Sequence, residues 1–325
     1  METILCLSGG IDSTCAYHLH KPDKTIFFDT GGYAAIEKDV VLAMAPDTII
    51  DTSLNFVDIL CDRSAYIPYR NLLFAARAAQ YLPNGGTVMM AGLKDDLVSD
   101  KNPDAFDSMR MCLNLLDSRY IEVVSPFWEM TKAQVIGQYI KEGFPEHDLL
   151  ATFSCYDPQN GIECHACPAC FRKWNALWEN GIKNRFFNME LMAEYNLSAC
   201  YGKYDRDRNQ SIIQSVKEYM SWIYSFESKV FCFDIDGVLT KETEGHDYEK
   251  RTPQFNNISI VIDLFEKGHT IILNTARWQE DMQVTNKWLR KHHVLYHKIQ
   301  FGKPKADFYI DDKMISLGEV LPYAQ

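Results

Sequence analysis

Short apolar runs alternate with longer amphipathic stretches over the first 150 residues of the chain. The apolar runs, rich in β-branched and aromatic residues, predict five strands at residues 3–7, 25–28, 48–51, 87–91 and 121–124. The stretches between and after them predict five helices at residues 13–20, 33–45, 69–81, 106–116 and 132–142. Strands that alternate with helices indicate an α/β fold with a parallel sheet and helical crossovers.

The pattern changes after residue 150. A cysteine-rich stretch, 155–170, runs into residues 171–179, and residues 180–228 are helical and polar with no strand signal. Within them we interpret the charged run 203–208 as a solvated linker. A fresh strand begins at residues 229–233. We therefore expect a first domain over 1–178, a helical linker over 179–228 and a second domain over 229–325.

Composition and charge narrow the class of protein. With 325 residues and 46% hydrophobic residues, the chain is expected to form two globular domains. No apolar run approaches the roughly 20 residues that span a bilayer, and the N-terminus lacks a secretory pattern, so we expect a cytoplasmic protein without a membrane segment. Residues 1–228 carry 30 acidic and 20 basic side chains. This excess of negative charge argues against a nucleic-acid partner and favours a small-molecule substrate.

A glycine-rich segment, Ser8-Gly9-Gly10-Ile11-Asp12-Ser13, directly follows the first predicted strand. Glycines allow close approach to a ligand, and successive amides at a helix N-terminus form a cradle for an anion such as the pyrophosphate of a nucleotide. A tight turn with a serine cap is the alternative. A cradle that holds pyrophosphate favours attack at the α-phosphate, with Mg²⁺ near Asp12 or Asp29. Asp29 follows the second strand, where it lies at the ligand edge of the sheet or else caps a turn.

Four cysteines are spaced C-x8-C-x2-C-x2-C, at Cys155, Cys164, Cys167 and Cys170. Four thiolates at such spacing can close a tetrahedral zinc site, and His165 lies within the cluster as a possible substitute ligand. An iron–sulfur cluster is the rival, since the spacing does not exclude it. The other cysteines stand in apolar contexts and are interpreted as buried thiols.

Two carboxylates, Asp234 and Asp236, follow the apolar run of the second domain. Two residues apart on an extended chain, both side chains leave the same face, where they repel each other unless a cation such as Mg²⁺ intervenes. One carboxylate can then attack a phosphoryl group while the other transfers the proton.

The segment SGGIDS resembles the signature of the N-type ATP pyrophosphatases, and further segments resemble the 7-cyano-7-deazaguanine synthases among them. These segments are IPYRN at 67–71, AGLKDD at 91–96, NPD at 102–104, SP at 125–126 with MTKA at 130–133, and FSCY at 153–156. The resemblance covers residues 1 to about 178. It implies an adenine-nucleotide α-hydrolase-like, doubly wound parallel sheet with a zinc-bound helical extension. It also implies three sites. The ATP site is formed by Leu7, Ser8, Gly9, Gly10, Asp12, Ser13 and Asp29. The substrate site is formed by Arg70, Asn71 and Lys94, and the zinc site by Cys155, Cys164, Cys167 and Cys170.

The activity that this resemblance implies is the conversion of 7-carboxy-7-deazaguanine to 7-cyano-7-deazaguanine with two ATP and ammonia, through an adenylated carboxylate and an amide. No glutaminase-like segment is evident, so free ammonia is the expected nitrogen source, and a homodimer is possible. The chain departs from the family at 29–32, at 97–101 and at Phe153, which replaces a usual tryptophan. These departures leave the nitrile, the amide and a conjugate with another amine, for example on a protein, as alternative products.

The segment DIDGVLT at 234–240 resembles the haloacid dehalogenase superfamily, mostly phosphatases. The other motifs of the superfamily follow in its order. They are a strand at 271–275 that ends in Thr275, then Lys303, and then a strand at 309–312. The resemblance implies that Asp234 is the nucleophile, Asp236 the general acid and base, Thr275 a phosphate ligand and Lys303 the balancing charge. It also implies that Asp311 helps to bind Mg²⁺, with Asp312 and Lys305 as second choices for the carboxylate and the lysine. Residues 241–253 are too few for a large cap, so a small capless Rossmann-like domain with an open site is expected.

Four functional hypotheses follow. The first is a bifunctional deazaguanine nitrile synthase and phosphatase, and the second keeps the adenylation but transfers the acyl group to another amine. The third, a tRNA-modifying sulfur-transfer enzyme, shares the glycine-rich segment but requires a basic surface that the charge balance disfavours. The fourth is a nucleotide-sensing scaffold without turnover. A dehalogenase-like fold that has lost turnover is a further alternative for the second domain.

Overall fold

The computed structural model describes the whole chain except residues 32–33, 57–66, 97, 226, 242–246, 307–308, 310 and 325. Its contacts define two compact units, 1–154 with 204–209, and 155–203 with 210–325. The cysteine-rich stretch groups with the C-terminal residues in the second unit. The domain boundaries at 178 and 228 stay a prediction.

The described residues of the first unit form a five-stranded parallel sheet in the order β3-β2-β1-β4-β5. The strands are β1 Thr3–Cys6, β2 Lys24–Phe28, β3 Ile49–Asp51, β4 Gly86–Met89 and β5 Ile121–Val124. All five predicted strands are confirmed to within two residues at either end. The order reverses at β1, and the carboxyl ends of β1 and β4 flank the crevice where open α/β sheets bind ligands.

Helices cover this sheet because its strands are apolar on both faces. They are α1 Ile11–His20, α2 Ala34–Met44, α3 Arg70–Ala79, α4 Pro103–Leu116, α5 Lys132–Lys141 and α6 Glu146–Ala151. Asn102 caps α4, which has Pro103 in its first turn, and Thr131 forms a capping box with Gln134 at the start of α5. Tyr33, predicted as the first residue of the second helix, lies outside the described residues. Ile4, Val88 and Phe106 belong to the core between the sheet and its helices.

The stretch that follows the cysteines is helical, as predicted. Its helices are α7 Pro168–Glu179, α8 Met189–Cys200 and α9 Arg206–Ser225. Aromatic side chains join them, since Trp174 contacts Phe186 and Tyr219, and Trp178 contacts Trp222. No helix in the described part of the chain is long and apolar enough to cross a membrane.

The C-terminal residues form a second parallel sheet, whose described strands run in the order β6-β7-β8. The elements are β6 Val230–Asp234, β7 Thr270–Asn274 and β8 Lys298–Gln300, with helices α10 Phe255–Glu266, α11 Met282–Lys291 and α12 Leu317–Ala324. Phe233, Leu273 and Trp288 are buried in its core.

The predicted strand at 309–312 is wrong for the residues that the structure describes there. Tyr309, Asp311 and Asp312 lie outside any strand, and Ile310 lies outside the described residues. The side chains of Tyr309, Asp311 and Asp312 are exposed, and exposed side chains contribute little packing to a sheet.

Candidate functional site

The glycine-rich segment connects β1 to α1 and is held by its two serines. Ser13 Oγ accepts a hydrogen bond from the Ser8 amide at 3.1 Å, lies 3.0 Å from Ser8 Oγ and donates to the Gly10 carbonyl at 3.0 Å. Gly10 is the N-cap residue of α1, and no side chain caps the helix at that position. The turn therefore presents backbone amides at a helix N-terminus, which is the arrangement that binds phosphate.

Gly9 has a conformation that only glycine adopts easily. Its φ is 71°, and a Cβ atom there would lie 2.9 Å from the carbonyl oxygen of Glu37 in α2. Its own carbonyl accepts a hydrogen bond from the Phe153 amide at 2.9 Å. Leu7 is buried, and its amide donates to the Ile26 carbonyl. Leu7 and Gly9 therefore set the shape of the turn.

The carboxylates expected near ATP are each paired with a lysine. Lys132, the first residue of α5, forms an ion pair with Asp12, and Lys38 lies 2.7 Å from Asp29 Oδ2. Sequence reasoning missed Lys132, although it lies in the quoted MTKA segment. Because these carboxylates face lysines, the described residues do not form a magnesium site here, and Mg²⁺ stays a prediction.

The predicted substrate residues lie on separate elements. Arg70 starts α3, with its guanidinium 6.0 Å from the centre of the Phe74 ring, and Asn71 Nδ2 donates to the Asp100 carbonyl at 3.4 Å. Lys94 Nζ lies 3.3 Å from the carboxylate of Asp207. Of the departures from the family pattern, Gly32 and Leu97 lie outside the described residues.

Arg70 is linked to the glycine-rich turn through α2. Burial raises the pKa of the Glu37 carboxyl to about 7, and the charge of Arg70 opposes that rise. The Glu37 carbonyl lies against Gly9 of the turn. The charge of Arg70 therefore acts on a residue, Glu37, that contacts the turn.

The charged run 203–208 contacts one predicted substrate residue, Lys94, while Lys203, Asp205, Arg206 and Asp207 are exposed, so its interpretation as a solvated linker stays a prediction. Asp207 pairs with Lys94, and Arg208 donates to the Asp95 carbonyl at 3.0 Å while lying over the ring of Tyr204. The partners of this run, Lys94 and Asp95, are separated from it in the sequence by about a third of the chain length. That pairing has no local signal in the sequence.

The four predicted cysteines come together. Their sulfur atoms lie within 4.8 Å of one another, with Cys155 and Cys164 3.4 Å apart and Cys164 and Cys170 3.9 Å apart. A tetrahedral site with metal–sulfur bonds of about 2.3 Å places its sulfurs about 3.8 Å apart, so the quartet fits one metal ion such as zinc. A cluster of several irons would spread its thiolates further apart.

Local hydrogen bonds favour metal binding by this quartet. The amides of Asp157 and Cys164 donate to the Cys155 sulfur at 3.3 and 3.2 Å. The hydrogen bond from Cys155 lowers the pKa of the Cys164 thiol to about 7, and thiolates are the form that binds metal. His165 lies outside the quartet, and its ring packs against Phe187 and His297.

The residues between the first two cysteines form a turn, 159–162, which we call the Asn160 hairpin. Gln159 and Ile162 exchange backbone hydrogen bonds, and Ile162 packs against the core of the C-terminal sheet. Asn160 Nδ2 donates to the Ile299 carbonyl at 2.8 Å, and Asn286 Nδ2 donates to the Asn160 carbonyl at 2.9 Å. The loop between the first two cysteines of the quartet is thus built into the C-terminal part of the second unit.

Three of the predicted phosphatase residues come together at the ends of β6 and β7. Lys303 Nζ lies 2.5 Å from Asp234 Oδ2, and the Lys303 amide donates to the Thr275 carbonyl at 2.9 Å. The Ile235 amide donates to the other Asp234 oxygen at 2.8 Å. Thr275 is fully buried.

Sequence reasoning missed the partner of Asp236, which is Arg277. The Arg277 guanidinium donates two hydrogen bonds to the Asp236 carboxylate, at 2.8 and 2.7 Å, and a third to Thr285 Oγ1 at 3.1 Å. Arg277 is 2% exposed, and its guanidinium lies 4.1 Å from the centre of the Tyr248 ring. The two hydrogen bonds from the guanidinium fix the orientation of the Asp236 carboxylate.

The predicted magnesium carboxylates are not gathered. Asp311 is exposed and accepts a hydrogen bond from the Lys313 amide at 2.8 Å, which lowers its pKa. Lys305 and Asp312, the second choices, are also exposed. Within the described residues, the cysteine quartet is the only group of three or more potential metal ligands, so Mg²⁺ at Asp234, Asp236 and Asp311 stays a prediction.

Comparison with known proteins points to one family. The family model described as "Queuosine biosynthesis protein QueC" matches residues 61–181. A protein of Leptospira interrogans named 7-cyano-7-deazaguanine synthase is 24% identical over 221 residues, covering 57% of this chain and 89% of the relative. One of the same name from Aliarcobacter butzleri is 29% identical over 125 residues, covering 37% and 53%. A solved structure from Vibrio cholerae covers 30% of this chain and 96% of its own at 27% identity, with a TM-score of 0.25 that is too low to compare folds.

These similarities support the N-type ATP pyrophosphatase part of the predicted organisation and an ATP-using synthase activity of the queuosine pathway, at low identity. The parallel α/β sheet is consistent with that family. The matched region contains Arg70, Asn71, Lys94 and the cysteine quartet. The dehalogenase-like region and its activity stay a prediction.

Proposed function

We propose that this chain converts 7-carboxy-7-deazaguanine to 7-cyano-7-deazaguanine with ATP and ammonia. The observation that carries the proposal is the uncapped, glycine-dependent turn 8–13 at the N-terminus of α1, in a chain whose residues 61–181 match the QueC family. The names of the relatives supply the product, and the sequence resemblance implies the substrate.

The reaction proceeds in two adenylations. A carboxylate oxygen of the substrate attacks the α-phosphorus of ATP and pyrophosphate leaves, which gives an acyl adenylate. Ammonia then attacks the carbonyl carbon, and loss of AMP and a proton gives the amide. The amide oxygen attacks the α-phosphorus of a second ATP with loss of pyrophosphate, and loss of AMP and of both amide protons leaves the nitrile.

The chain's own residues bind and orient the reactants in this proposal. The amides of the turn hold the phosphates, and Lys132 exchanges its pairing with Asp12 for contact with the negative charge of ATP. Arg70, Asn71 and Lys94 hold the substrate or the nucleotide. The quartet Cys155, Cys164, Cys167 and Cys170 holds zinc, which would stabilise the fold of the loop that carries it.

For the C-terminal region, residues 229–325, we propose phosphatase activity. Asp234 attacks a phosphoryl group and forms an aspartyl phosphate, while Asp236 protonates the leaving oxygen. Asp236 then takes a proton from the water that releases phosphate. The contacts of Lys303 with Asp234 and of Arg277 with Asp236 support these roles, because they fix both carboxylates.

Mass spectrometry of one incubation tests the synthase proposal. The full chain is mixed with ATP, 7-carboxy-7-deazaguanine and ammonium, and the expected product is the nitrile with two pyrophosphates released. An adenylate that persists in the presence of ammonium would favour the alternative in which another amine accepts the acyl group. No pyrophosphate release would refute both.

The phosphatase proposal has its own test. Hydrolysis of p-nitrophenyl phosphate by the full chain should be lost in Asp234→Asn and kept in Lys132→Ala, which alters only the first unit. Equal hydrolysis by wild type and Asp234→Asn would refute the assignment of the nucleophile.

A further inference from the structure

Two neighbouring aspartates after β4, Asp95 and Asp96, differ in how their carboxylates are satisfied. Asp96 Oδ2 accepts a hydrogen bond from the Leu93 amide at 3.0 Å and lies 2.8 Å from Lys101 Nζ. Asp95 Oδ1 is buried, and it accepts no hydrogen bond from any residue that the structure describes. Buried polar atoms in folded proteins almost always have a partner, so this oxygen lacks one that a ligand can provide.

The surroundings of Asp95 connect it to the proposed active site. Burial raises the pKa of the Asp95 carboxyl, the positive charges of Arg208 and Lys132 oppose that rise, and the charge of Asp96 adds to it. Lys132 also pairs with Asp12 of the glycine-rich turn. Lys94, the preceding residue, is one of the predicted substrate residues. Asp95 therefore shares the charge of Lys132 with the glycine-rich turn and directly follows a predicted substrate residue in the chain.

The charge and acceptor chemistry of this position selects among ligands. Phosphates are excluded as partners because they would bring negative charge to a carboxylate. The edge of adenine presents one donor beside one acceptor, so it could satisfy only half of a carboxylate. A guanine-like ring presents a ring N–H and an exocyclic amino group side by side, and a carboxylate can accept from two such parallel donors, one of them at the unsatisfied Oδ1.

We propose that Asp95 recognises the guanine-like edge of the substrate by accepting hydrogen bonds from its ring N–H and exocyclic amino group. Arg208 positions Asp95 through its hydrogen bond to the Asp95 carbonyl. The inference rests on the proposed synthase function and assigns the residue that distinguishes the deazaguanine from other carboxylates.

The test compares substrates as well as variants in the full chain, with pyrophosphate release as the readout. Asp95→Asn should raise KM for 7-carboxy-7-deazaguanine by about 10- to 100-fold, the range of a bidentate base contact, and leave KM for ATP unchanged. An analogue without the exocyclic amino group should be a poor substrate for the wild type, and Asp95→Asn should weaken it little further. Asp96→Asn is the matched control, since its carboxylate has protein partners, and it should keep the wild-type preference between the two substrates.

The outcomes separate the inference from the proposed function. If the wild type releases pyrophosphate and Asp95→Asn has an unchanged KM for 7-carboxy-7-deazaguanine, the role of Asp95 alone is overturned. An equal loss of activity with both substrates in Asp95→Asn would overturn it too. A change confined to KM for ATP would do the same. Absence of release by the wild type would overturn the synthase proposal and this inference together. The melting temperature of Asp95→Asn shows whether this variant folds. If it folds poorly, the binding of both substrates to Asp95→Glu is measured by calorimetry instead. Equal affinities of Asp95→Glu and the wild type would count against the inference.

Discussion

The two candidate phosphate sites of this chain are built by opposite means. The turn 8–13 relies on backbone geometry, with Gly9 at positive φ, two serine hydroxyls that brace the turn and an uncapped helix N-terminus. The site at the end of β6 relies on charged side chains, each of which already has a partner in the described structure. Asp234 pairs with Lys303, and Asp236 pairs with Arg277.

This difference decides what a substitution does at each site. A change in the turn alters the shape that binds phosphate, whereas a change in the charged site removes one half of an ion pair. The cost of leaving a buried charge without its partner is larger than the net contribution of the pair itself. We therefore expect folding and activity to be more tightly coupled at the second site than at the first.

The largest expected effect tests this coupling at Arg277. Arg277→Met should lower the free energy of unfolding by about 3 kcal/mol, because it removes two hydrogen bonds to Asp236 and one to Thr285 from a buried position. Urea unfolding monitored by fluorescence measures the change. Arg277→Lys keeps the charge without the paired geometry and should lose less. Wild-type stability in Arg277→Met would show that the charged site is not coupled to folding.

The next effect concerns the turn. Gly9→Ala should cost about 2 kcal/mol, because a side chain at positive φ is strained and its Cβ would crowd the Glu37 carbonyl. Gly10→Ala is the matched control, since its Cβ would meet neighbouring atoms no closer than 3.4 Å. Differential scanning calorimetry compares the two variants. Equal melting temperatures for both would contradict the proposed dependence of the turn on Gly9.

A pH titration extends the comparison to a paired carboxylate in the first unit. Burial disfavours the charge of Asp51, but hydrogen bonds from Ser53, Tyr81 and Arg77 outweigh it and lower its pKa to about 2. This pKa lies below that of the unfolded chain, so the ionised carboxylate stabilises the fold above about pH 5 and this contribution of about 2 kcal/mol is lost as pH falls towards 2. Asp51→Asn should therefore show a smaller loss of stability between pH 5 and pH 2 than the wild type. Parallel stability curves for the two proteins would contradict the assignment.

The smallest expected effect is at the Asn160 hairpin. Asn160→Ala should lower stability by about 1 kcal/mol, because it removes the side-chain hydrogen bond to the Ile299 carbonyl and leaves that acceptor without it. Metal content, measured by mass spectrometry of the purified protein, should stay at one ion per chain. Gln159→Ala, whose side chain donates to the Asp157 carbonyl within the same loop, serves as the control. A loss of metal in Asn160→Ala would mean that the hairpin orders the cysteines rather than docking beside them.

The parts that the sequence predicted have local signals. The apolar runs of β1 to β7 identify strands because each run buries side chains, and the spacing of Cys155, Cys164, Cys167 and Cys170 identifies the quartet. The strand β8 was missed because Ile299 is its only buried residue. Lys132 and Arg277 were missed because their partners lie 120 and 41 residues away, and no local pattern encodes such pairing. The strand at 309–312 was predicted from a motif, and the exposed side chains of Tyr309, Asp311 and Asp312 give no packing to support it.

The Asn160 hairpin has a consequence for fragments of this chain. A fragment ending at residue 178 would keep the hairpin but lose the C-terminal core against which Ile162 packs. A fragment beginning at residue 229 would keep that core but lose Ile162, so the patch that Ile162 covers would be exposed. Each fragment would expose apolar area that the intact chain covers, which promotes aggregation. Separate expression of the two fragments is therefore expected to yield less soluble protein than the intact chain, even where each fragment retains every residue of its own candidate site.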